Sequence, residues 1–166
     1  ERLRDEYVDA EAQFVSAARP DAPFQSSALI SLGIVRMKLG KTREAVEAFD
    51  EWFRLNPEAP VDRRVEAHYD RGRALHEGGR SAQAARDLGA FLKNHKKGFD
   101  FVKYQWFVGF WYYQAGQYSR AIRELKPLLG RRNPLEGGKA RYWTAKALDA
   151  QKRRAAAVDV LAALVR

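Results

Sequence analysis

Val102–Leu128, VKYQWFVGFWYYQAGQYSRAIRELKPL, is the stretch that decides how the chain reads. Gly109 is followed seven residues later by Gly116, and then by Tyr118, Ala121 and Leu125. The same intervals recur in Gly33, Gly40, Ala45 and Phe49, in Gly72, Gly79, Ala84 and Leu88, and in Ala145, Lys152, Ala157 and Leu161. In all four copies the step from the first small residue to the alanine is twelve. A glycine that stops one helix, followed by a second helix with 3.6-residue apolar periodicity, predicts a helix–turn–helix unit. Four copies predict an array in which each unit buries its apolar face on its neighbours.

The Leu-Gly start at Leu32-Gly33, the Ala-x3-Phe half at Ala45 and Phe49 and the closing Pro57 resemble the tetratricopeptide repeat. That resemblance implies an all-α fold: a tetratricopeptide-like helix–turn–helix solenoid, or α–α superhelix. About four repeats are expected in a single domain over residues 1–166, at about 26–57, 61–94, 100–129 and 139–166, after an N-terminal half repeat at 1–18. In that half repeat Tyr7, Ala10, Phe14 and Ala17 take the apolar positions of a second helix, and Ala10 lies 35 residues before Ala45. The array is therefore expected to start before Glu1, and also to continue past Arg166. Gly33, Gly72, Gly109 and Ala145 are expected to lie against Ala45, Ala84, Ala121 and Ala157. Pro127 is placed near a helix end, and GRRNPLEGG at 130–138 reads as a linker. The fourth repeat's second helix is apolar on Val158, Leu161, Leu164 and Val165.

The net charge of +9 is unevenly spread. Residues 1–60 carry 8 Lys/Arg against 11 Asp/Glu, residues 61–100 carry 9 against 6, and residues 101–166 carry 13 against 4. A basic C-terminal half suits anionic partners, or serves only as a solvated cationic surface. Cysteine is absent, which excludes disulfides and thiolate chemistry but fixes no compartment. No run approaches the roughly 18 apolar residues of a membrane span.

Motifs that carry chemistry are missing. Gly40-Lys41-Thr42 resembles the end of a phosphate loop, but Val35 stands where that loop needs glycine; Gly138-Lys139 fails likewise at Asn133. His76-Glu77 lacks a second histidine, because Arg80 occupies its place. His68, His76 and His95 read as surface or packing residues. No catalytic residue, no metal site and no cofactor is expected. Asp50 and Glu51 are adjacent, so on a helix they point apart and cannot share one bond.

In tetratricopeptide folds the binding groove is lined by each repeat's first helix. Carried onto this register, the resemblance gives Ser27, Ile30, Ile34 and Met37, then Glu66, Tyr69, Arg73 and His76, then Lys103, Trp106, Phe110 and Tyr113, then Lys139, Tyr142, Lys146 and Asp149. The expected ligand-binding residues are Tyr69, Arg73, Trp106, Phe110, Tyr113, Tyr142 and Lys146, since rings beside cations suit peptides, sugars and bases alike. Trp111, Tyr112 and Trp143 are assigned to packing. The family's terminal-carboxylate clamp is not expected, because of its positions only Lys103 fits and Asp70 would repel a carboxylate.

A second resemblance covers about a third of the chain. Residues 107–161, with Arg141 just ahead of Tyr142-Trp143, Ala145 and Ala147-Leu148, resemble the superhelical region of bacterial soluble lytic murein transglycosylases. It implies a periplasmic location and a peptidoglycan-cleaving parent whose catalytic domain is absent from this chain, so this chain alone is not expected to cleave glycan. The partner would be a protein or peptide, or peptidoglycan strands. The alternative is a free-standing envelope scaffold that mediates protein–protein interactions through its groove. Binding of single-stranded nucleic acid is the weaker third reading.

Overall fold

The computed structural model describes residues 2–131 and 134–163. The described residues form helices and no strand: α1 (Arg2–Ala17), α2 (Gln25–Lys38), α3 (Thr42–Leu55), α4 (Val61–Glu77), α5 (Ser81–Asn94), α6 (Phe101–Gln114), α7 (Tyr118–Leu125), a 3-10 turn (Lys126–Leu128), α8 (Pro134–Ala150) and α9 (Arg154–Ala162). This is the all-α repeat architecture expected from the intervals. Pro127 sits in the 3-10 turn that closes α7.

One backbone device makes all four turns. Gly40, Gly79, Gly116 and Lys152 have φ of 74°, 76°, 72° and 61°. Each such residue lets the next amide reach back to a carbonyl five residues earlier: Lys41 to Arg36, Arg80 to Leu75, Gln117 to Tyr112 and Arg153 to Leu148, at 2.7 to 2.9 Å. The turn residue's own amide donates three residues back. This is the Schellman closure, which satisfies helix-end carbonyls that would otherwise lack donors. Glycine takes the left-handed conformation freely, and Lys152 adopts it without that freedom.

Two compact units divide between Arg80 and Ser81, within the turn of the second repeat. In the first unit α1 packs on α2, α2 pairs with α3, and α4 lies against both. Leu29, Trp52 and Ala67 make a core cluster there, with Ile30, Phe53 and Ala59 packed around it. The α1 helix has no buried residue. Its polar tie is Glu11, which accepts from Arg36 Nε at 3.1 Å and from Lys41 Nζ. These two cations hold the Glu11 carboxyl below its ordinary pKa, the Lys41 hydrogen bond contributing most.

In the second unit α5 packs on α6, α6 pairs with α7, α8 lies against both, and α9 pairs with α8. Leu125, Leu128 and Ala140 form one cluster and Ala145, Leu148 and Ala157 another. Trp111 and Tyr112 are buried in α6, in line with their expected packing role. Asp100 starts that helix, its Oδ1 accepting from the Lys103 amide at 3.1 Å.

Two expectations need correction. The small residue of each first helix was expected against the alanine of the second. Ala145 does cluster with Ala157, but at Gly33 and Gly109 the nearest side chain lies one helical turn beyond that alanine. A β-carbon on Gly33 would stand 2.6 Å from the Phe49 ring, and one on Gly109 would meet Leu125. The glycine makes room for the large side chain of Ala-x3-Phe, while Ala45 and Ala121 are themselves fully buried. Second, the stretch read as a linker is partly helix, because α8 begins at Pro134. Proline is well suited to a first helical position, where its missing N–H costs nothing. Gly137 is required inside that helix, since a β-carbon there would lie 2.6 Å from the Arg131 carbonyl oxygen. Of the apolar residues assigned to the fourth repeat's second helix, Val158 and Leu161 are exposed, and Leu164 and Val165 lie outside the described residues.

Candidate functional site

Each unit has a hollow between two first helices. In the first unit it opens between α2 and α4 and has a volume of about 470 Å³. Ser26, Ser27, Ile30 and Ser31 line one wall, Arg63, Glu66 and Asp70 the other, and Trp52 and Ala67 lie beneath. The sequence places small hydroxyl residues on α2 at the spacing that puts them on one face. Ser26 Oγ donates to Asn56 Oδ1 at 3.0 Å, which anchors the start of α2 to the end of α3. Asp70 is 7% exposed. Its Oδ1 accepts from Arg73 Nη1 at 3.5 Å, whereas Arg63 and Glu66 form a rim pair at 3.8 Å. Two carboxylates and several hydroxyls suit polar or cationic side chains.

The second unit's hollow lies between α6 and α8 and holds about 190 Å³. Val102, Trp106, Phe107 and Leu135 make apolar walls, with Lys103, Lys139, Asp100 and Glu136 around them. Trp106 stacks on Phe110 with ring centroids 5.1 Å apart and planes 8° apart. Lys139 Nζ stands 5.6 Å from the Trp106 ring, a cation–π arrangement. The buried indole Nε1 of Trp106 has no hydrogen-bond partner. A buried donor left so costs roughly 1–3 kcal/mol. This hollow suits a flat or apolar side chain with an acceptor group.

By register the two hollows are equivalents, because Gly33 and Gly109 occupy the same repeat position. Ser27 then corresponds to Lys103, Ile30 to Trp106 and Ser31 to Phe107. Equivalent register positions carry polar chemistry in one unit and aromatic, basic chemistry in the other. The charge follows: residues 1–80 have 13 Lys/Arg and 15 Asp/Glu, residues 81–166 have 17 and 6.

The seven expected groove residues fall into three settings. Tyr69 and Arg73 share α4, the guanidinium carbon 5.8 Å from the ring centroid. Burial raises the Tyr69 pKa and Asp70 adds to this, against the opposing effect of Arg73. Burial lowers the pKa of His76 on the same helix. Trp106 lines the α6–α8 hollow, whereas Phe110 and Tyr113 meet Trp143 of α8, at 4.8 and 5.0 Å between centroids. Tyr142 is 49% exposed, and with Lys146 it lines a different, shallow groove between α8 and α9. Trp143 packs beside Leu125, Leu128 and Ala140, in keeping with its assignment to packing.

Several lining residues escaped the sequence reading. Ser27, Ile30, Glu66 and Lys139 stood at groove-facing positions but lacked the ring-beside-cation signature used to choose among them. Ser26, Ser31, Leu135 and Glu136 carried no signal beyond their place in the register. His68 and His95 lie against Phe53 and Phe91, with centroids 4.4 and 4.2 Å apart. Among the described residues, no group of three His, Cys, Asp or Glu is placed to hold a metal, and no helix is long and apolar enough to cross a membrane.

Comparison with known proteins agrees with this geometry. The nearly identical TPR-like repeats of a Podosopora anserina protein named for kinesin light chain superpose with a TM-score of 0.73, at 16% identity, over 98% of this chain and 84% of that one. MamA from AMB-1 gives 0.72 at 18% identity, over 96% and 88% of the two chains. MamA from MSR-1 gives 0.67 at 16%, over 99% and 95%. At these identities the likeness concerns the fold. No curated protein matches the chain by sequence. The family model described as tetratricopeptide repeat matches residues 30–96 and 112–166, so the chain belongs to the tetratricopeptide-repeat family.

Proposed function

We propose that this chain is a non-catalytic scaffold that binds another protein, holding side chains of the partner in the hollows along its first helices. The observation that supports this most directly is the pair of hollows at equivalent register, of about 470 and 190 Å³, with chemistry beyond what packing needs. Hydroxyls and carboxylates line one, and an indole under a lysine lines the other. Each volume suits side chains of a peptide segment.

The finer assignment, to the superhelical region of a periplasmic lytic transglycosylase, is supported by the resemblance of residues 107–161, and most specifically by Arg141 followed by Tyr142-Trp143-x-Ala145-x-Ala147-Leu148. That pattern lies within residues 112–166, which the tetratricopeptide model already accounts for. Ala145, Ala147 and Leu148 are buried, as repeat packing alone requires. A protein-binding repeat scaffold is therefore proposed in place of that assignment. Peptidoglycan as partner and a periplasmic location depend on that resemblance.

The test is selection of peptides from a random display library on the purified chain, followed by titration against variants. Selected peptides should lose at least tenfold in affinity on Ser27→Trp, which plugs the first hollow, or on Trp106→Ala. Arg86→Ala on α5 should leave them unchanged. Peptides indifferent to both hollows would overturn the proposal. So would tight binding to random oligonucleotides with a steep salt slope and no selected peptide.

A further inference from the structure

By register, the α2–α4 hollow is the charge-reversed counterpart of the α6–α8 hollow. Gly33 and Gly109 are 76 residues apart, and Gly72 and Ala145 are 73 apart. On the first wall Ser27 and Ser31 therefore correspond to Lys103 and Phe107. On the second wall Arg63, Glu66 and Asp70 correspond to Glu136, Lys139 and Trp143. Both lysines are gone from the first hollow, and a carboxylate stands in place of one of them. The small side chains of α2 also leave it the larger volume, about 470 Å³ against about 190 Å³.

Asp70 departs furthest from the repeat. At its position the other first helices carry Ser31, Phe107 and Trp143. A carboxylate held at 7% exposure costs free energy unless cations or donors surround it. Arg73 supplies one cation, at 3.5 Å along the same helix. A carboxylate has about four acceptor sites, so Asp70 can bridge Arg73 and a cation entering the hollow that it lines. Glu66 stands one turn earlier on the same wall. Its partner Arg63 lies 3.8 Å away with both side chains more than half exposed, a weak pair that an incoming cation can replace. Trp52 and Ile30 add apolar lining. Acid groups beside apolar surface match a long side chain whose stem is apolar and whose tip is cationic.

We propose that the α2–α4 hollow receives an arginine side chain of the partner protein, its stem against Ile30 and Trp52 and its guanidinium between Glu66 and Asp70. Ser27 and Ser31 serve as further acceptors. Arginine suits this lining better than lysine. Its planar fork carries five donors for two carboxylates and two hydroxyls, where an ammonium carries three, and it is the less strongly hydrated cation. The inference rests on the protein-binding reading of the chain and names what its first hollow selects.

The probe is Nα-acetyl-arginine methylamide, titrated into the full chain while the indole N–H signal of Trp52 is followed by NMR. The signal should shift saturably in the millimolar range, as one anchored side chain allows. The citrulline analogue, which keeps the shape without the charge, should give no saturable shift, and the lysine analogue should bind several-fold more weakly. Asp70→Asn should weaken the arginine probe about tenfold. Glu66→Lys changes an exposed side chain to the type that α8 carries at the equivalent position, so the fold is kept, and it should weaken the probe about fivefold. Lys139→Glu on α8 should leave it unchanged. No saturable shift, equal binding of the citrulline or lysine analogue, or indifference to Glu66→Lys would overturn the proposal. If library-selected peptides lose affinity on Ser27→Trp yet bind equally well with every arginine replaced by citrulline, the hollow still holds a partner and only the arginine assignment falls.

Discussion

The Phe49 ring fills the space that a side chain on Gly33 would need, with a β-carbon on Gly33 falling 2.6 Å from ring atom Cζ. Phe49 is completely buried. Such burial contributes about 1.5–3 kcal/mol, and it is available only because α2 presents bare backbone there. Gly33→Ala should therefore cost about 1–3 kcal/mol through overpacking. Gly33→Ala combined with Phe49→Leu should lose less than the sum of the two single changes. Denaturant titration of the four proteins checks this, and strict additivity would show that the residues do not share the space.

Lys152 holds a left-handed turn that glycine holds in the other three repeats, with φ of 61°. Lys152→Gly should raise stability by about 0.5–1 kcal/mol, the relief of strain exceeding the added freedom of the unfolded chain. A differential scan should show a Tm higher by a few degrees. An unchanged or lower Tm would mean that the lysine side chain repays its strain by contacts of its own.

Repeat register made these features legible, and chemistry beyond register was not. The turns at Gly40, Gly79 and Gly116 could be read because a backbone needing positive φ selects glycine. Lys152 could be placed only by counting from Ala145. The start of α8 was obscured because Pro134 and the Gly137-Gly138 pair carry breaker signals, although Pro134 suits a first helical turn and Gly137 serves a close approach to Arg131. The α2–α4 hollow was missed for a different reason. Serines at positions 26, 27 and 31 look like ordinary surface until Trp52, Ala67 and Asp70 are seen to enclose them.

Glu11 ties α1 to α2 and to the start of α3, and its folded pKa lies below the ordinary value of 4.5. Its stabilisation is therefore present above about pH 4.5 and is lost as pH falls through the lower folded pKa. Glu11→Gln should cost about 1 kcal/mol at neutral pH, with much less effect in strong acid. Amide exchange should report the loss in α1 first, since that helix has no buried residue. Equal effects of Glu11→Gln at neutral and strongly acidic pH would contradict the ion-pair account.

Trp106 separates stability from recognition. Its indole N–H is buried without a partner, so Trp106→Phe removes an unsatisfied donor while keeping a ring against Phe110. Stability should stay within about 1 kcal/mol of the parent, because the donor's lost penalty offsets the smaller ring. Affinity for hollow-binding peptides should fall several-fold as the broader face under Lys139 is lost. If Tm collapses while affinity holds, Trp106 is a packing residue only.

The central claim is that partners are held along the first helices. The most direct measurement is site-specific photocrosslinking with p-benzoylphenylalanine placed in turn at Ser27, Lys103, Arg86 and Arg123, in lysate of the source cells, with crosslinked proteins identified by mass spectrometry. The account predicts that one protein crosslinks from Ser27 on α2 and from Lys103 on α6, and not from Arg86 on α5 or Arg123 on α7. Crosslinks concentrated at Arg86 and Arg123, with none at Ser27 or Lys103, would contradict it.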